Sequence, residues 1–326
     1  MPVKHAIWSG DGKLVALADL SGKLVVERVT RSARRDTWET THEFEVRISP
    51  EGGNVISQLI FHPTGSKLFM ATPVKVYSVD VASHAVTESA LAPGPPQGTP
   101  DVKWVCHPTS SDTLLGFGAT KLHVLTWEDL CQKGEHAYFP PRLGSLPATP
   151  VPPSGLTHTG SFQRGAETLG RLIINVDSPE ALLEISSPTS SGQHERHYLL
   201  FDIGNLQLGG EQSEGGDKMM PYKLIAPEIA SKIREPLAIM SRRRLVFLSV
   251  DRWICTWKLP SLAAGVAESQ PRVGESPAAV VEQHYFLPGD WVTGNDTRLC
   301  AVTPDGTLLC PRNGDVVAVQ ASRVRR

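Results

Sequence analysis

No stretch of the 326 residues approaches the roughly 20 consecutive apolar positions that a membrane-spanning helix requires. The opening Met-Pro-Val-Lys-His carries no apolar run of the signal-peptide kind. An excess of one charge is also lacking: 32 Lys and Arg stand against 34 Asp and Glu, a formal net charge of −2. A chain that holds nucleic acid or an anionic membrane uses a basic surplus for attraction, so this balance argues against both partners. Cysteine is sparse and irregular. Cys106, Cys131, Cys255, Cys300 and Cys310 are odd in number and form no C-x-x-C pair. They predict reduced thiols with structural roles in an intracellular protein, cytoplasmic with the nucleus left open, and neither a disulfide framework nor a zinc ribbon.

Catalytic signatures are missing as well. There is no G-x-S-x-G nucleophile elbow. His194-Glu195-Arg196-His197 lacks the H-E-x-x-H spacing that puts two His one helical turn apart, and after Ser190-Ser191-Gly192 it reads as a solvated loop. Gly116-Phe117-Gly118 leads into a strand and not a helix, so it fails as a dinucleotide fingerprint. No catalytic residue, metal or cofactor is expected. The basic groups Arg242-Arg243-Arg244 and Arg323-Val324-Arg325-Arg326 read as a solvated turn and a free tail, and Pro147-Ala148-Thr149-Pro150 as plain linker. The sequon at Asn295 reads as idle.

What the chain does have is turns and a repeat. Gly (28) and Pro (26) together are about one residue in six, which points to a β-rich chain. An apolar strand, a turn of the type Ser/His/Thr–Gly/Pro–x–Gly/Ser and a second apolar strand recur. The turns are Ser9-Gly10-Asp11-Gly12, His62-Pro63-Thr64-Gly65, His107-Pro108-Thr109-Ser110 and Thr303-Pro304-Asp305-Gly306. Two weaker copies lie between, one with residues 171–176 as its second strand and one built on 236–250. A third strand follows most copies, after short links such as Ser21-Gly22, Thr72-Pro73, Asp251-Arg252 and Asn313-Gly314 that allow tight antiparallel reversal. A more polar fourth strand is readable at 40–46 and 284–287. The first three turns begin at 9, 62 and 107, a spacing that suits four-stranded propeller blades. The fold expected is therefore all-β: a single β-propeller domain over 1–326, of about six (five to seven) degenerate four-stranded blades. Irregular insertions are expected near 92–100, 140–165, 204–220 and 262–280. A β-sandwich also uses many short strands, but has no reason to repeat one turn at near-equal intervals.

These units resemble WD repeats. Asp251 matches that family's turn Asp and Trp257 its Trp, with Lys258 where Asp is usual; Tyr77 takes the Trp position in another blade. The Gly-His pair that opens a WD repeat is missing throughout, so the family's buried Asp–His–Ser–Trp network is not carried over. Residues 284–292 (His-Tyr-Phe-Leu-Pro-Gly-Asp-Trp-Val) and 299–319 are similar to the closing segment of fungal proteins that join a NACHT nucleotide-binding domain to WD repeats, the signalling NTPases that include the vegetative-incompatibility group. The resemblance implies a C-terminal sensor arm whose nucleotide switch lies upstream, since no G-x-x-x-x-G-K-[ST] occurs here. It also bears on closure. The last unit supplies three strands, and the first begins at once with its innermost strand. Either upstream sequence completes the ring, or it closes by side-chain packing and leaves an edge open to pairing.

The function expected is a non-catalytic protein-protein interaction scaffold or sensor. In WD topology the turns between second and third strands gather on one face. Here they carry Asp19, Ser21, Pro73, Thr120, Asp251, Arg252, Arg312 and Asn313, the expected partner-binding set. The alternatives are a propeller-fold hydrolase or lyase with a site in the central channel, which would need converging His, carboxylate or metal groups, and a nucleic-acid-binding ring, disfavoured by the charge.

Overall fold

The structure, a computed structural model, describes residues 3–31, 38–48, 55–73, 75–90, 102–118, 121–138, 168–174, 179–188, 194–204, 206, 220, 222–260, 280–291, 300–303, 306–312 and 315–319. These residues fold into six antiparallel sheets, each made of strands paired in chain order. The first blade is β1 (Val3–Trp8), β2 (Leu14–Asp19), β3 (Lys23–Arg31) and β4 (Trp38–Arg47). The second is β5 (Gln58–Phe61), β6 (Lys67–Ala71), β7 (Lys75–Asp80) and β8 (Val86–Ala90). The third is β9 (Lys103–Cys106), β10 (Thr113–Phe117), β11 (Lys121–Thr126) and β12 (Gln132–Ala137). The fourth is β13 (Thr168–Ile174), β14 (Glu180–Pro188), β15 (His194–Asp202) and β16 (Tyr222–Leu224). One helical turn, α1 (Pro227–Ala230), leads to the fifth: β17 (Ile233–Met240), β18 (Arg244–Ser249), β19 (Trp253–Lys258) and β20 (Glu282–Phe286). Among the described residues the sixth has three strands, β21 (Ala301–Val302), β22 (Leu308–Arg312) and β23 (Asp315–Val319).

The reason for this stacking is legible in the second strands. Most carry a continuous apolar run because both faces are covered; β14, interrupted by Glu180 and Glu184, is the exception. In β6, Leu68 and Met70 pack toward the first blade, whereas Phe69 and Ala71 pack toward the third with Trp104, Leu114 and Trp127. In β14, Leu183 faces the third blade and Leu182 the fifth. In β18, Leu245 and Phe247 join the fourth blade, while Val246 and Leu248 meet Leu308 and Cys310 of the sixth. The two-residue period of a strand thus places every core between two blades, and the sheets become a propeller. First strands touch in sequence, β1 with β5, then β9, β13, β17 and β21.

Polar side chains tie the blades together. Lys4 Nζ and His5 Nε2 both reach the Ile56 carbonyl, at 3.1 and 3.0 Å. Gln58 accepts from the Trp104 amide at 2.9 Å and donates to the Trp104 carbonyl at 2.5 Å, a two-way clamp between β5 and β9. Arg171 pairs with Glu235 at 3.2 Å and donates to the Pro236 carbonyl at 2.7 Å.

Several expectations need correction. Residues 171–174 lie in the first strand of their blade, not the second; the run is apolar enough for either place, and the true second strand, β14, begins at a polar residue, Glu180. His194-Glu195-Arg196-His197 is not loop but the start of β15, with His197 buried and Arg196 bonded to the Arg234 carbonyl at 2.6 Å. Arg242 and Arg244 are exposed, as a solvated turn requires, and Arg244 pairs with Glu282 at 3.0 Å on the surface; only Arg243 departs from that reading, half-buried and paired with buried Glu180. The insertions near 92–100, 140–165 and 262–280, and most of 204–220, lie outside the described residues, as do Pro147, Asn295 and the tail from 320.

The outer faces of the first and sixth blades, those turned away from the second and the fifth, are less buried. On the β1 face turned away from β5, Ala6 and Trp8 are exposed, Trp8 by 55%. On the sixth blade, Ala301 and Ala318 are exposed and Leu309 is half-buried on the side away from the fifth. Every other blade face described above is packed.

Candidate functional site

In the first, second, third and sixth blades the turn between the first two strands is held by its opening residue. Ser9 accepts the Leu14 amide on Oγ at 2.9 Å, and Thr303 accepts the Thr307 amide on Oγ1 at 3.1 Å. His62 Nδ1 accepts the Thr64 amide at 3.2 Å, and His107 Nδ1 accepts the amides of Thr109 and Ser110 at 3.2 and 3.0 Å. With Nδ1 an acceptor, the proton sits on Nε2, and His107 donates it to the Ile203 carbonyl of the fourth blade at 3.1 Å. Gly12, Gly65 and Gly306 take the positive φ these turns need. This end of the blades is built for structure.

The opposite end carries the turns between second and third strands. In the first blade the Asp19 carboxylate accepts the Ser21 hydroxyl and amide, each at 2.8 Å, and the Lys23 amide at 3.0 Å. Burial would raise the Asp19 pKa, but the Ser21 hydroxyl and the two amides outweigh it and hold the group below the usual carboxylate range. Gly22 follows with φ +81°, and a Cβ there would lie 2.7 Å from the Ile48 oxygen. In the second blade Thr72 Oγ1 accepts the Lys75 amide at 3.0 Å. In the fifth, Ser249 Oγ accepts the Trp253 amide at 3.0 Å. Asp19, Thr72 and Ser249 are thus one repeated device, a buried oxygen at the end of the second strand that closes the turn. Asp251, the residue matched to the WD turn Asp, stands two places later and is exposed; Ser249 does the work expected of it.

Of the expected contact set, Asp19 and Ser21 are therefore bonded to each other. Pro73 and Asp251 are exposed, and Arg252 is half-exposed with φ +68°. Thr120, Asn313 and the Arg312 side chain lie outside the described residues; the Arg312 backbone ends β22 at this same end. The Arg252 guanidinium stands 5.1 Å from the centroid of the Phe286 ring, which in turn meets the Trp253 ring edge-on at 5.7 Å. Among the described residues Arg252 makes no ion pair, and its guanidinium lies between the Phe286 ring and the Gly289 backbone.

Sequence reasoning missed the apolar part of this end. Leu20 and Val250 occupy the same turn position in their blades, directly after Asp19 and Ser249, and are 59% and 50% exposed. Val3 sits across from Asp19 and Phe286 across from Trp253, and both are largely exposed. The available signal was an aliphatic residue at a turn position that otherwise favours polar ones. Four of the seven large apolar side chains that stand exposed among the described residues lie at this end of the first and fifth blades, which makes it the candidate contact surface. Among the described residues no group of three or more His, Cys, Asp or Glu is placed to hold a metal ion, and no helix is long and apolar enough to cross a membrane.

No family model matches the chain, and no curated protein matches it. Its fold is shared by 822 solved chains, among them the β-propeller domain of Cps50 (Swd1) from Myceliophteria thermophila. That likeness has a TM-score of 0.51 at 12% identity, over 98% of this chain and 86% of the other. At that identity the likeness speaks for architecture alone: the chain has a WD-repeat-like β-propeller fold, all-β and six-bladed.

Proposed function

We propose that the protein is a non-catalytic interaction scaffold that binds a protein partner on the face carrying the turns between second and third strands. The observation that carries this reading is the exposure of both Leu20 and Val250 at equivalent turns of two blades, with Arg252 over Phe286 beside Val250. Exposed apolar side chains mark a contact surface, and an aromatic ring beside an arginine that makes no ion pair among the described residues is a composition enriched at interfaces. Asp19, through Ser21 and Lys23, supports the surface and does not touch the partner. Exposed Pro73 and Asp251 extend it, and Thr120, Arg312 and Asn313, expected at matching turns from the sequence, are proposed to join them. An intracellular, cytoplasmic setting goes with this reading. The resemblance of residues 284–319 to fungal NACHT/WD proteins supports a narrower version, in which this propeller is the sensor arm of a nucleotide switch.

The test is capture of interacting proteins from an extract of the source cells. Wild-type protein is compared with a variant carrying Leu20→Asp, Val250→Asp and Arg252→Glu, after circular dichroism shows both folded. Specific partners should fall at least tenfold with the variant; unchanged capture would sink the proposed face. The narrower reading is tested by sequencing the transcript from its 5′ end, where an in-frame Walker A motif supports it and transcription starting at Met1 removes it.

A further inference from the structure

Cys300 and Cys310 meet inside the sixth blade. Continuing the register of Ala301 with Leu309 and Val302 with Leu308 sets Cys300 directly opposite Cys310. The Thr303 amide donates to the Thr307 carbonyl at 2.9 Å, which marks that pair as hydrogen-bonded. Alternation along an antiparallel ladder then makes 302/308 non-bonded, 301/309 bonded and 300/310 non-bonded. Non-bonded pairs bring their Cα atoms to about 4.5 Å, within the span a disulfide bridges. The sulfurs are already in contact: Cys300 Sγ donates to Cys310 Sγ at 3.6 Å. Both are buried among Val246, Leu248, Leu287 and Leu308. The other three thiols differ. Cys106 donates to the Phe61 carbonyl at 3.5 Å, Cys255 to the Trp253 carbonyl at 3.6 Å, and Cys131 is exposed. None of the three has a second sulfur in contact.

We propose that Cys300 and Cys310 form a covalent modification site, a cross-strand dithiol that a small-molecule disulfide oxidises to an intramolecular disulfide. The Cys300 thiolate, formed by loss of one proton, attacks the small disulfide. A mixed disulfide forms and one small thiolate leaves. The Cys310 thiolate, its own proton lost, attacks the Cys300 sulfur, the Cys300–Cys310 bond forms, and the second small thiolate leaves. The two thiolates take up the two protons. Two electrons have passed to the oxidant, which is reduced to two thiols. Because the sulfurs already touch, the closing step needs side-chain rotation and no movement of the strands. The bond would weld β21, two residues long, to β22 and so pin the smallest blade.

Contact with the Cys300 sulfur, then burial, pushes the Cys310 thiol well above its ordinary pKa, so little thiolate is present at neutral pH and the reaction is slow until the blade loosens. The resting state of the site is the dithiol.

The full chain is incubated with oxidised glutathione at mildly alkaline pH, remaining thiols are alkylated, and the protein is digested and mapped by mass spectrometry. The expected product has lost two hydrogen masses and yields a peptide linked through Cys300 and Cys310. Its thermal midpoint is several degrees above that of the reduced protein, and the shift reverses with dithiothreitol. Cys310→Ser should abolish both the link and the shift; if that variant does not fold, the wild-type peptide map decides alone. Mixed disulfides confined to Cys131, or a Cys300–Cys310 link that forms only in denaturant, would overturn the proposal.

Discussion

At the scale of single residues, a few side chains carry more of the architecture than their neighbours do. A Cβ on Gly116 would lie 2.6 Å from the Trp104 ring, so the glycine in β10 is what lets that indole lie flat against its own blade. Gly116→Val should cost about 1–3 kcal/mol by overpacking, read as a lower urea midpoint with unchanged slope. His107 is the second such residue, since one ring holds its own turn and the fourth blade at once. His107→Ala leaves buried donors and an acceptor unpaired and should cost about 1–3 kcal/mol. Hydrogen exchange would show the loss concentrated at the turn and at residues 202–204. These roles were half legible. The His-Pro turn pointed to a capped reversal, but nothing in the sequence says which distant carbonyl the other ring nitrogen meets.

At the scale of the element, the turn between second and third strands separates two aspartates that look alike in sequence. Asp19 closes its turn with three accepted hydrogen bonds, and Asp251 closes nothing. Asp19→Ala should lower the denaturation midpoint clearly, Ser249→Ala should do so in the fifth blade, and Asp251→Ala should leave it nearly unchanged. The opposite ranking would mean that the turn register assigned here is wrong. The strands themselves were readable because their apolar runs are bounded by turn residues. The fourth blade was not, because its first strand is a better apolar run than its second, Glu180–Pro188, whose Glu180 pairs with Arg243 in the turn before β18 and Glu184 with Arg196 of β15. A buried carboxylate looks like a loop residue until its partner is known.

At the scale of the whole molecule, ionisation sets a window of stability. His5, His62, His107, His123 and His197 are all held below their ordinary 6.5, chiefly by burial. The unfolded chain therefore binds protons first, and stability falls as pH drops below about 6.5. Asp11, Asp80, Asp129 and Glu135 are held below their usual range by hydroxyl, amide or ammonium donors, so a second loss begins near pH 4. At the other end burial pushes Cys106 up to about 11 and Tyr285 up to about 12. These groups stay protonated in the fold while the unfolded chain gives up its protons, so stability falls again above about pH 9. Urea midpoints across pH should form a plateau between roughly 6.5 and 9; a maximum near pH 5 would contradict the histidine assignments.

The sequence by itself determined the kind of fold, a propeller of about six four-stranded blades, and the strand–turn–strand units of every blade but the fourth. Those follow from local chemistry, from apolar runs, positive-φ glycines and side chains that bond their own backbone. The tertiary structure alone decided which face of each strand meets which neighbour, and that Ser249 rather than Asp251 holds a turn. It also decided that Leu20 and Val250 are exposed at the same end of their blades as Arg252 and Phe286, and that Cys300 lies against Cys310. Those juxtapositions depend on register and on how one blade stacks upon the next, and such long-range packing leaves no mark at any single position in the chain.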